Sequence, residues 1–123
     1  MKYIQMNVSD YTDFPAKKYG PYGPRTALVM RVKDGDTILC RWYEGNVLTE
    51  HAIRFAGINA PEKSTDEGKR IARIIEERLK PNTFVHLDCQ GLGNFGRVLA
   101  TVYDTEGINI CKWMLDKGYA VPY

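Results

Sequence analysis

Arg54 to Glu62 reads RFAGINAPE. An apolar-alternating run around His51–Ala56 ends in this segment. Pro61 disfavours helical backbone at Ala60, so the chain leaves its strand extended and can enter a helix only beyond the proline. There Ser64-Thr65-Asp66-Glu67 reads as a capping box, with Ser64 accepting from the Glu67 amide and the Glu67 side chain reaching back. Ile71, Ile74, Ile75 and Leu79 then form one apolar stripe with charges opposite. RFAGINAPE is therefore where a β region hands over to a helix.

Upstream, the chain alternates with period two from Thr26. Leu28, Met30 and Val32 are expected on one face, followed by Asp34-Gly35 and then by Ile38, Cys40 and Trp42. Glu44-Gly45-Asn46 is a hairpin turn into the third strand. Downstream, Pro81-Asn82 stops the helix. Val85, Leu87 and Cys89 mark a fourth strand, and Val98, Ala100 and Val102 a fifth. Asp104–Gly107 turns the chain into a second helix carrying Ile110, Trp113, Met114 and Leu115, with Gly118 as its C′ residue. The pattern predicts an α+β protein: a five-stranded OB-fold β-barrel, with one helix between strands 3 and 4 and one after strand 5. The face formed by strands 2 and 3 of such barrels commonly binds oligonucleotides. Residues 1–25, rich in Tyr, Pro and Gly without a period, are expected to form an irregular arm, and 26–123 the barrel domain. Within the arm, Lys17, Lys18 and Tyr19 are the residues suited to touching nucleic acid.

A chain of 123 residues has room for one core, and 44% apolar with 26% charged residues is an ordinary globular composition. The net charge of +2 is compatible with a nucleic-acid enzyme that must release its product, and with much else. Cys40, Cys89 and Cys111 are too far apart in sequence to pair as zinc ligands and read as reduced core thiols. MKYIQMNVSD lacks the apolar segment of a signal peptide, and no run approaches the ~20 apolar residues of a membrane span. A cytoplasmic monomer without membrane association is expected, with residues 1–25 as the segment through which an oligomer would form.

GLGNFG (91–96) has the letters of a dinucleotide fingerprint, but the alternating RVLATVY behind it is a strand, so the glycines are a turn. DGDT (34–37) is an ordinary hairpin sequence, yet two carboxylates flanking a glycine also suit a hard cation that wants oxygen ligands. Arg54 at the end of the third strand and Arg97 opening the fifth supply two planar guanidinium groups suited to a phosphate. Glu62 adds a carboxylate able to orient or deprotonate water. Together these are the parts that phosphodiester hydrolysis requires.

In this order, V-x-DGDT, R-x-x-G-I-N-x-PE, a helix, GR, a strand and a helix ending in Gly, the sequence resembles the staphylococcal nuclease (thermonuclease) family over roughly Ala27 to Ala120. The resemblance implies an OB barrel and a metal-dependent, Ca²⁺-using nuclease acting on DNA and/or RNA. By the same resemblance Asp36, the residue at position 59 and the Ala60 carbonyl hold the metal, with Asp34 in the outer shell. Glu62 orients the attacking water, and Arg54 and Arg97 stabilise the phosphorane. Phe95 corresponds to an aromatic lining the nucleotide pocket. Asn94 stands where a well-known member has lysine, and Tyr119 and Tyr123 are candidates to meet the base.

One position departs in kind: the family pattern has aspartate where this chain has Asn59. An amide oxygen still ligates Ca²⁺, and Mg²⁺ or Mn²⁺ would be alternatives. The lost charge should nevertheless weaken the ion by about 1–3 kcal/mol, or roughly 5–150-fold. The alternative expectation is therefore a catalytically weak nucleic-acid-binding or protein-interaction module on the same fold.

Overall fold

The computed structural model describes residues 21–123. Residues 1–20, most of the expected arm, lie outside the described residues. The elements are β1 (Tyr22–Asp34), β2 (Thr37–Glu44), β3 (Val47–Phe55), a short β4 (Ile58–Asn59), α1 (Asp66–Arg78), β5 (Phe84–Leu92), β6 (Val98–Tyr103), α2 (Ile110–Asp116) and a short β7 (Val121–Pro122). Five strands close into a barrel in the order β1-β2-β3-β6-β5. All barrel pairs are antiparallel except β3 with β6, which is parallel. This is the expected OB architecture, with both helices where they were predicted.

The interior is filled by alternate residues of each strand. Ile38, Cys40 and Trp42 from β2 meet Val85, Leu87 and Cys89 from β5 and Val98, Ala100 and Val102 from β6. Ile71, Ile75 and Leu79 of α1 and Ile110 and Met114 of α2 close over this core. All three cysteines are buried and unpaired, and burial pushes the Cys40 thiol up to about 12. Burial raises Cys89 and Cys111 as well. A thiol reagent at neutral pH is therefore expected to leave the native chain unmodified and to titrate all three cysteines in denaturant. Prompt native reaction would show that the barrel opens locally.

Three expectations need correction. On β1 the inward residues are Ala27, Val29 and Val32, while Leu28 and Met30 are only half-buried. Irregular pairing with β2 between Val29 and Arg31 shifts the phase, as a β-bulge does, and ALVM offers apolar side chains in either phase. Residues 22–25 are strand, not arm: they pair with Gln90 to Leu87 of β5. Arg25 Nε also bonds Glu44 Oε1 at 2.8 Å, with Trp42 Nε1 on the same oxygen at 2.6 Å. Lastly, the α1 cap is Thr65 and not Ser64. Its hydroxyl accepts from Gly68 N at 3.0 Å, while Glu67 pairs forward with Arg70.

Candidate active site

The β1–β2 turn carries Asp34, Gly35 and Asp36 to one end of the barrel. A Cβ on Gly35 would stand 2.8 Å from Ile71 Cγ2 and 3.1 Å from Ala60 Cβ. The absence of a side chain there lets the two aspartates tuck beneath α1 and the segment after β3. The Asp36 carbonyl accepts from Phe55 N at 2.9 Å, which ties this turn to the end of β3.

Asp36 is 8% exposed, and a buried carboxylate needs partners. Oδ2 accepts from Ala60 N at 2.9 Å and lies 3.4 Å from Arg54 Nη1; Oδ1 accepts from the Thr37 hydroxyl at 3.2 Å. Arg54 faces Thr37 across the β2–β3 register. It donates Nη1 to the Phe55 carbonyl at 3.0 Å and Nη2 to Asn59 Oδ1 at 3.2 Å, and its guanidinium lies 5.7 Å from the Tyr123 ring centroid. Arg54 is therefore fixed before any substrate arrives.

These groups open onto one cavity of about 810 Å³. Asp34, Asp36, Arg54, Asn59, Ala60, Glu62, Asn94, Arg97 and Tyr123 line it, bringing together strand ends far apart in sequence. Arg97 is held lightly, by Nε to the Asn94 carbonyl at 3.2 Å. Two candidates sit elsewhere. Tyr119 packs edge-on against Trp113, with ring centroids 5.4 Å apart, and is absent from the cavity wall. Phe95, at φ 62° and 94% exposed, lies 5.6 Å from the Arg97 guanidinium outside that wall.

The cavity also holds residues that the sequence did not assign. Lys63 and Ser64 line it, and Thr37 bonds Asp36. Thr37 was visible within DGDT, but a hydroxyl beside a carboxylate does not announce which oxygen it will meet. Tyr123 reaches the cavity because β7 pairs with β4, Asn59 opposite Val121, and because Tyr123 N donates to the Gly57 carbonyl at 3.0 Å.

Comparison with known proteins decides the family. The profile described as "Staphylococcal nuclease homologue" matches residues 52–123, more than half of the chain. The chain belongs to the staphylococcal nuclease family. Two proteins, each described as "Uncharacterized endonuclease", from Escherichia coli and Escherichia coli O157:H7, are 33% identical to it over 95 residues. That alignment covers 77% of this chain, which spans 59% of the length of those relatives.

In this member of the staphylococcal nuclease family, the donors suited to a metal in the cavity wall are oxygens, and among the described residues neither histidine nor cysteine lines it. That is the chemistry of a hard cation. The charge is less generous: Asp34, Asp36 and Glu62 are balanced by Arg54, Lys63 and Arg97 in the same wall. Among the described residues no three His, Cys, Asp or Glu side chains converge closely enough to form a metal cluster by themselves. The residues thus fit a hard cation in kind, with amide, carbonyl, water or phosphate oxygens needed to complete its shell. Among the described residues no helix is long and apolar enough to cross a membrane.

Proposed function

We propose that this chain is a metal-dependent nuclease that hydrolyses phosphodiester bonds of DNA and/or RNA, with Ca²⁺ as its ion. The observation that carries the reading is one cavity wall shared by Asp36, Asn59, Ala60, Glu62, Arg54 and Arg97. Asp36, Asn59 and the Ala60 carbonyl would hold the cation, which supplies positive charge to a non-bridging phosphate oxygen when bound. Arg54, oriented by Asp36, Asn59 and the Phe55 carbonyl, presents a guanidinium to the phosphate. Arg97 approaches from the start of β6. Glu62 orients water and takes its proton as the water oxygen attacks phosphorus; the P–O bond to the leaving sugar oxygen breaks, and that oxygen takes up a proton from solvent. The two arginines then meet charge that grows in the transition state, where their effect on rate is greatest.

One observation favours the second reading, a nucleic-acid-binding module with little catalysis. Arg54 already pairs with Asp36 Oδ2 at 3.4 Å and bonds Asn59 Oδ1, so the two side chains proposed to hold the metal already have an internal cation. Cleavage of labelled single-stranded DNA across a Ca²⁺ titration to ~10 mM, with an EDTA control, separates the two readings; millimolar dependence is expected of weak extracellular-type sites. Asn59→Asp is expected to lower the half-saturating Ca²⁺ by roughly 5–150-fold, the value of one nearby charge. Cleavage unchanged by EDTA would remove the metal from the mechanism. Salt-sensitive binding without cleavage would establish the module instead.

A further inference from the structure

We propose that Gly68, acting with Thr65, is a positioning residue that sets where the Glu62 carboxylate stands; the inference rests on the reading of Glu62 as the group that activates water. Gly68 occupies the third position of α1 after the Thr65 cap. A glycine there disfavours the helix by about 1 kcal/mol relative to alanine. Its backbone is not in the left-handed region, so the conformation does not call for glycine. The surroundings do. Gly68 is buried between exposed neighbours, and a Cβ on it would overlap the Glu62 carbonyl carbon and oxygen and stand 2.9 Å from Lys63 N. The segment bearing Glu62 thus lies directly across the first turn of α1, in a groove that a single methyl group would fill.

Thr65 holds it there. Its hydroxyl donates to the Glu62 carbonyl at 2.7 Å while accepting from Gly68 N, and its own N–H donates to the same carbonyl at 3.0 Å. One side chain therefore caps the helix and pins the Glu62 peptide. The Glu62 side chain is exposed and forms no ion pair among the described residues, so its reach over the cavity is set by its backbone. Restoring van der Waals separation around an alanine at 68 would push that peptide away by more than ~1 Å. A displacement of this size at a catalytic group costs up to about 10²-fold in rate.

The test measures kcat, KM and Tm for Gly68→Ala, Thr65→Asp and Thr65→Ser, and for Gly68→Ala combined with Glu62→Gln, on single-stranded DNA with Ca²⁺. Gly68→Ala is expected to lower kcat roughly 10–100-fold with KM within about threefold. In the Glu62→Gln background it should cost less than about twofold, because a misplaced base that is already absent has no further effect. Thr65→Asp keeps an acceptor for Gly68 N and the backbone donor but loses the side-chain donor to the Glu62 carbonyl, so kcat should fall. Thr65→Ser keeps both functions and should resemble wild type. The serine–aspartate pair carries the test if Gly68→Ala does not fold. Wild-type kcat in Gly68→Ala, or an equal loss on both backgrounds, overturns the inference while leaving Glu62 its role. Wild-type chain that does not cleave, or Glu62→Gln turning over normally, overturns the reading of Glu62 and the inference with it.

Discussion

Glu62→Gln is expected to slow cleavage by about 10²–10⁴-fold, the range for losing a general base, while single-stranded DNA binding stays within about threefold. The two side chains are nearly the same size, and the backbone contacts that locate position 62 run through its carbonyl to Thr65, which the substitution leaves intact. What is lost is a proton acceptor. Binding should if anything tighten, since one of three carboxylates in the cavity wall becomes neutral before a polyanion. Single-turnover cleavage and equilibrium binding on the same oligonucleotide check both halves. Equal losses in rate and binding would make Glu62 a structural or ligand-gripping residue and would assign proton transfer elsewhere.

Arg97→Ala is expected to cost about 10²–10³-fold in kcat, comparable to removing a donor aimed at a developing oxyanion, with stability changed by less than about 0.5 kcal/mol. The small stability effect follows from its loose mooring, a 3.2 Å bond to the Asn94 carbonyl and an exposed phenyl ring at 5.6 Å. Arg54 should behave differently. Removing its guanidinium would leave Asp36, at 11% side-chain exposure, without its cation, and Asn59 Oδ1 without its donor. Arg54→Ala should therefore lose about 3 kcal/mol of stability as well as activity, as when a buried pair loses one partner. Arg97→Lys offers a sharper control, restoring charge without the planar fork, and should recover binding more than rate. Full recovery of kcat by lysine, or a negligible effect of alanine, would mean that Arg97 is not at the transition state. Chemical denaturation run beside the kinetics separates the two arginines.

The correct and corrected expectations divide along physical lines. β5 was the most legible, because the polar His86, Asp88 and Gln90 alternate with Val85, Leu87 and Cys89; β2 and β6 carry an off-phase Leu39 or Leu99, but Arg41 and Thr101 mark their outward faces. β1 was not legible, because Ala27, Leu28, Val29 and Met30 are apolar in both phases and a bulge chose between them. The helix start was misplaced by one residue because Ser64 and Thr65 are both capable caps. The Glu62 carbonyl, a partner invisible to local pattern, selects the threonine. In the site, Tyr119 and Tyr123 were equal candidates. Pairing of β7 with β4 brings Tyr123 to the cavity, while Tyr119 packs on Trp113.

From residue order alone came the element sequence, the buried faces of most strands, the acid, arginine and glutamate candidates, and the asparagine at position 59. These are local properties, settled by side-chain periodicity, by proline and glycine, and by the chemistry of each group. Tertiary structure decided the closure of the barrel through parallel pairing of β3 with β6 and the meeting of Asp36 with Ala60 and Arg54. It also decided the groove at Gly68 that seats Glu62. The first two depend on distances between residues remote along the chain, and the groove on a turn between Glu62 and Gly68 whose path periodicity does not describe. Whether Asn59 serves a cation or an arginine is such a matter as well: the residue is plain in the sequence, but its 3.2 Å bond to Arg54 exists only once β3 has ended and the chain has turned back upon it.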